Sequence, residues 1–139
     1  MTFRMFQRLL QRKIQSSAVI LYRLTQSLSF FVTSSAFMFI LSRTGFIYVV
    51  NYETQETVVN FKVAKEIYSA ALLCGGKMIV TGDKEHLYFN EVETGKQIGI
   101  YRDIHSDVIN HICPHPVYPT VFASGSEDGL VFFAISISF

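Results

Sequence analysis

Hydrophobic and polar positions fall into two regimes along this chain. Within residues 1–27, Phe3, Phe6, Leu10 and Ile14 recur at helical spacing, with Arg4, Arg8 and Arg12 on the opposite side and Lys13 near the border. That pattern predicts a basic amphipathic helix. Residues 28–139 read differently: short apolar runs alternate with tight polar turns. FMFILS, Arg43-Thr44-Gly45 and FIYVVNY form one unit. KMIVTG, Asp83-Lys84-Glu85 and HLYFNEV form a second, and VFASGS, Glu127-Asp128-Gly129 and LVFFAI a third. Each predicts a β-hairpin.

The run Leu28–Leu41, LSFFVTSSAFMFIL, is shorter than the roughly 20 residues a membrane helix needs. Extending it to Val50 would bury Arg43. Thr33, Ser34 and Ser35 interrupt it as a turn between two strands would. Gly75-Gly76 reads as a turn between Ala71–Cys74 and Met78–Val80.

The units repeat. Asn51 in VVNYETQ sits where Glu91 sits in FNEVETG, 40 positions on, and Asp83 and Asp128 occupy similar turns 45 positions apart. This period, with two hairpinned strands per unit, is that of propeller repeats.

Composition sharpens the contrast between the two regimes. The 139 residues are 50% hydrophobic and 17% charged, which suits a packed core. Phe (13) and Tyr (7) are abundant and Trp is absent, and the recurring aromatic and β-branched runs favour strands. The net charge of +1 gives no general attraction to nucleic acid. No acidic residue precedes Glu53, however, so the basic start has the pattern of a mitochondrial transit peptide or of a segment lying on a membrane. Phe3 and Phe6 lie on its apolar face rather than between the arginines, unlike a base-stacking platform. The two cysteines, Cys74 and Cys113, form no CxxC pair, and a reducing, intracellular setting follows as the expectation.

Residues Ile104–Val131, IHSDVINHICPHPVYPTVFASGSEDGLV, resemble the WD40-repeat family. His105 falls at the His of the family's Gly-His pair, and Pro116 and Pro119 at the loop after the innermost strand. ASGSEDGLV is similar to the second strand, the Asp-Gly turn and the start of the third. FNEVETGK resembles the family's Trp-Asp-x-x-Thr-Gly-Lys ending, with Asn90 and Glu91 in place of Trp and Asp. No unit keeps the Trp-Asp pair, Pro114 replaces an apolar residue, and FFAISISF after Leu130-Val131 is unlike a blade ending.

The resemblance implies a hydrogen-bonded network of His105, Ser124 and Asp128 inside one blade, with Gly129 serving the turn and the Trp member missing. His, Ser and Asp also compose a hydrolase triad, but that chemistry needs an exposed nucleophile, and no GxSxG elbow is present. His111, Cys113 and His115 alternate at period two, as zinc ligands on a strand could, though Pro114 and Pro116 should break the strand there. Phosphate-binding glycine loops are absent. Asp83, Glu85, Glu91 and Glu93 read as a solvated face.

The expectation is therefore an all-β chain: a partial WD40 β-propeller of about two to three blades (residues 28–139) behind an N-terminal amphipathic helix (residues 1–27). It reads as a piece of a longer propeller, a protein-interaction scaffold without catalysis or cofactor, in the cytoplasm or nucleus. Its expected partners are proteins or peptides, not small-molecule substrates, nucleic acid or membrane. Arg43, Lys84, Glu85, Arg102 and Glu127 are generic contact candidates. The alternative is a small membrane-associated or mitochondrially targeted protein directed by its N-terminal segment.

Overall fold

The computed structural model of the chain describes residues 28–32, 37–51, 53–54 and 56–137, and the expected N-terminal helix lies outside them. The described residues form an all-β fold of three antiparallel sheets. The first has the order β1 (Leu28–Val32), β2 (Phe37–Ser42), β3 (Phe46–Asn51), β4 (Glu56–Lys62). The second runs β5 (Ser69–Leu73), β6 (Met78–Gly82), β7 (Leu87–Glu91), β8 (Gln97–Tyr101). The third has β9 (Ile109–Pro114), β10 (Val121–Ser126) and β11 (Val131–Ile135).

The three expected hairpins are β2–β3, β6–β7 and β10–β11. The apolar run at 28–41 is divided into paired strands β1 and β2, as its central Thr and Ser suggested. No helix among the described residues is long and apolar enough to cross a membrane. Strand β9 runs through Pro114 instead of breaking before it. Among the described residues it pairs with β10 alone, and a proline at the end of such an edge strand removes no ladder donor that the sheet needs.

The repeat extends to irregularities that the sequence does not advertise. The first sheet shifts register between Val49 and Val50, leaving Val58 unpaired in β4. The second shifts between Phe89 and Asn90, leaving Ile98 unpaired in β8. Val58 and Ile98 are 40 positions apart, like Asn51 and Glu91. Asn51 and Glu91 both end the third strand of their sheet.

The sheets stack face to face with the second in the middle, because side chains alternate across each strand. Phe39, Leu41, Ile47 and Val49 of the first sheet meet Ile79 of the second, with Ala70 and Leu72 packed against them. On the other face, Ala71, Leu73, Met78, Val80, Leu87 and Phe89 meet Ile109, Ile112 and Phe122 of the third sheet. Strand β6 is consequently buried at all five positions, which is why MIVTG lacks the alternation of a one-sided strand. Gly82 fits this crowding: a Cβ there would sit 2.8 Å from Ile109 Cγ2 and Ser69 Oγ.

Candidate functional site

In this meander of strands, the turns β2–β3, β6–β7 and β10–β11 and the connections β4–β5 and β8–β9 gather at one end of the stack. Backbone hydrogen bonds tie each turn to the connection beside it. Ile67 N–H donates to the Arg43 carbonyl (3.1 Å), Ile109 N–H to that of Asp83 (2.9 Å) and Glu127 N–H to that of Val108 (3.0 Å). These bonds satisfy groups a free loop would leave to water, and hold the end as one surface.

The expected trio meets at this end. Asp128 Oδ2 lies 2.9 Å from His105 Nδ1, and His105 Nε2 lies 2.9 Å from Ser124 Oγ. A carboxylate only accepts, so Nδ1 donates, and Nε2 then accepts from the Ser124 hydroxyl. Asp128 also receives the N–H groups of Ser106 (3.1 Å) and Leu130 (2.8 Å). Burial pushes its carboxyl pKa up, but the Leu130 and Ser106 amides and the His105 ring outweigh it and hold the pKa below the ordinary value. The Phe132 ring packs edge-on against His105 at 5.0 Å. Gly129 follows in the left-handed region at φ 85°, where glycine fits without strain.

The distances are those of a catalytic triad, but the setting is a core: Ser124 is 0% exposed and His105 4%. A nucleophile sealed from solvent meets no substrate. The geometry instead clamps the β8–β9 connection onto strand β10 and its turn.

The middle sheet builds its end differently. Asp83 Oδ1 accepts the N–H groups of Glu85 and His86, both at 2.7 Å, and Oδ2 accepts the Tyr88 hydroxyl at 2.8 Å. Burial, then the Asp83 hydrogen bond, push the Tyr88 pKa up to about 12. Asp83 is thus a turn-holding acceptor, more than the solvated carboxylate expected from the sequence. Thr81, buried on β6, has a hydroxyl with no hydrogen-bond partner, so the His-Ser-Asp network has no copy here.

Arg43, Lys84, Glu85, Arg102 and Glu127 are all exposed at this end. The Arg43 guanidinium lies 5.4 Å from the Tyr68 ring centroid, a cation–π distance, and the Tyr68 hydroxyl donates to Glu66 at 2.8 Å. Lys84 and Glu66 are 4.0 Å apart, both solvent-accessible, a pair of little energetic weight.

His111, Cys113 and His115 do not converge. His111 and Cys113 are exposed on β9, while His115 Nδ1 accepts the N–H groups of Val117 and Tyr118, both at 3.0 Å. Among the described residues, Glu85, His86 and Asp103 bring potential ligand atoms within 4.8 Å of one another. Here His86 Nδ1 already accepts the Asp103 N–H at 3.0 Å, so that lone pair is taken. At the opposite end, Gly76, Lys77, Glu91, Val92 and Glu93 line an open cleft of about 520 Å³. Glu91 and Glu93, expected on a solvated face, border this cleft, and Glu91 also accepts the Thr94 hydroxyl at 2.5 Å.

No protein-family model and no curated protein sequence matches the chain. Among solved structures, 708 chains match, so the arrangement is a widely shared one. One is the crystal structure of the computationally designed Ika4 protein, similar at a TM-score of 0.64 and 16% identity. The match covers 78% of this chain and 64% of that one. At this identity the likeness is one of fold.

Proposed function

We propose that the chain is a protein-interaction scaffold of the WD-repeat type, its three sheets forming an arc of a propeller that binds proteins or peptides without catalysis. The observation that carries this reading is the end of the stack where the turns meet. Five exposed charged residues sit there on turns fixed to one another by backbone hydrogen bonds. A rigid surface of this kind loses little conformational entropy on binding.

Two features support the WD-type assignment. Consecutive meanders stack face to face at a spacing of about 40–45 residues. His105, Ser124 and Asp128 are hydrogen-bonded at the positions the sequence resemblance implies. The step from fold to function is an analogy, and the binding surface is what makes it testable.

The test is capture of partners by the immobilised chain beside a control propeller. Specific partners should be retained by the chain and released when Arg43, Lys84 and Arg102 are changed to Glu. A chain that retains nothing while the control recovers its own partners would overturn the reading.

A further inference from the structure

Three turns among the described residues are capped in the same way. Asn51 Oδ1 accepts the N–H groups of Glu53 (3.0 Å) and Thr54 (3.2 Å). Asp83 Oδ1 accepts those of Glu85 and His86, both at 2.7 Å. His115 Nδ1 accepts those of Val117 and Tyr118, both at 3.0 Å. Each time one side-chain atom takes the amides two and three residues on, a turn device for which Asn and Asp are the usual residues. The third acceptor differs in kind. A carboxamide oxygen always accepts, and a carboxyl keeps acceptor capacity when protonated, but an imidazolium has none.

The β9–β10 connection depends on that one nitrogen. Pro116 and Pro119 carry no N–H, so His115, Val117 and Tyr118 supply the backbone donors of residues 115–119. The His115 N–H is bonded to the Val121 carbonyl (2.8 Å), and the other two converge on Nδ1. With Nδ1 accepting, the neutral ring carries its proton on Nε2, and Nδ1 is the one site left for a second proton. A proton there turns two hydrogen bonds into opposed donors. The residue is exposed, so solvent can deliver it.

The surroundings offer little to offset that change. Residues 108–126 and 131–137 contain no Asp, Glu, Lys or Arg. The titratable neighbours are Tyr118, whose ring lies 4.8 Å from that of His115, and His111 and Cys113 on β9. Across the connection stands Cys74, whose N–H donates to the Pro119 carbonyl at 2.9 Å. Lys77, Glu91 and Glu93 border the cleft at this end of the stack. Among the described residues, none forms an ion pair with the His115 ring.

We propose that His115 is a pH-operated latch on the β9–β10 connection: the neutral ring holds the apolar tip Val117-Tyr118 in one arrangement, and the protonated ring releases it. Val117 is 74% exposed and Tyr118 61%, so packing contributes little to their placement and the two amide bonds set it. The change is confined to the tip. Its far root is tied by the Pro119–Cys74 bond and by the Ser136 N–H on the Thr120 carbonyl (2.7 Å). The closed form is complete while the ring is neutral. It is lost as pH falls through the range in which histidine takes up a proton, about 8 to 5. The latch lies at the end opposite the charged turns and acts independently of them.

Nuclear magnetic resonance of the full 139-residue chain tests this, with amide protection and the His115 ring followed at about pH 8 and about pH 5. Protection of the Val117 and Tyr118 amides, corrected for the intrinsic pH dependence of exchange, should fall at least about tenfold as the ring takes up its proton. The Glu53 and Thr54 amides, under the Asn51 cap, should not change. His115→Asn, which supplies the kind of acceptor seen at Asn51, should keep both loop amides protected at either pH. His115→Ala should leave both unprotected at either pH, with an unchanged circular dichroism spectrum. Loop amides that stay protected beside a charged ring, or a pH response that survives in His115→Asn, would overturn the proposal.

Discussion

His105 shows how much a single buried polar residue can organise. Its ring joins strand β10 to the β10–β11 turn, and neither Ser124 nor Asp128 can replace the contact with the other. His105→Ala leaves a buried hydroxyl and a carboxylate short of partners and opens space beside Phe132. It should cost about 2–4 kcal/mol in urea unfolding, well beyond a surface change. The Asp128 carboxyl titrates below the ordinary value of 3.8 in the folded chain. Its contribution is therefore complete above the unfolded value and is lost as pH falls through the lower folded one. Urea midpoints from pH 6 down to about pH 2 should decline through the acid range, with a shallower decline in Asp128→Asn. These three residues were legible in the sequence because their spacing resembles a family pattern. Asp83 was not: a carboxylate in a polar turn looks solvated until Tyr88 is seen to reach it.

At the scale of elements, turns separate what a local sequence can and cannot reveal. Gly45 and Gly129 both have positive φ, 93° and 85°. A Cβ on Gly45 would collide with the carbonyl of Ala64, whereas around Gly129 nothing lies within 4 Å. Gly129→Ala should thus cost about 1 kcal/mol, the backbone strain alone, and Gly45→Ala distinctly more, about 2–4 kcal/mol. Equal losses in thermal unfolding would contradict the close approach. Gly129 was readable from its Asp-Gly turn, but the Ala64 contact comes from the neighbouring connection and leaves no local signal. The bulges at Val58 and Ile98 are hidden likewise, since a bulge depends on the partner strand's register. The hairpins were readable because polar turns punctuate apolar runs. FFAISISF looked unlike a blade ending, yet its first residues complete a hairpin strand, β11, whose apolar face is left bare.

For the whole molecule, the middle sheet is the coupling element. Ile79 packs toward the first sheet and Phe122 of the third sheet packs toward the middle one, both nearly without exposure. Ile79→Ala should cost about 2–5 kcal/mol and Phe122→Ala about 3–5 kcal/mol. If the stack unfolds as one unit, both variants keep a single urea transition with an unchanged slope. A second transition in either would mean that the sheets melt separately. That stacking order could not be read from the strands, because β6 is apolar on both faces and names no neighbour. The proposed binding through the charged turns would draw on this stack, which holds those turns in place through its backbone hydrogen bonds.

The most direct measurement is crosslinking of captured partners to the chain, with the sites located by mass spectrometry. Crosslinks should concentrate on the turns around Arg43, Lys84, Glu85, Arg102 and Glu127 and disappear when Arg43, Lys84 and Arg102 are changed to Glu. Partners that crosslink elsewhere, or remain bound to the charge-reversed chain, would contradict a scaffold working through that end of the stack.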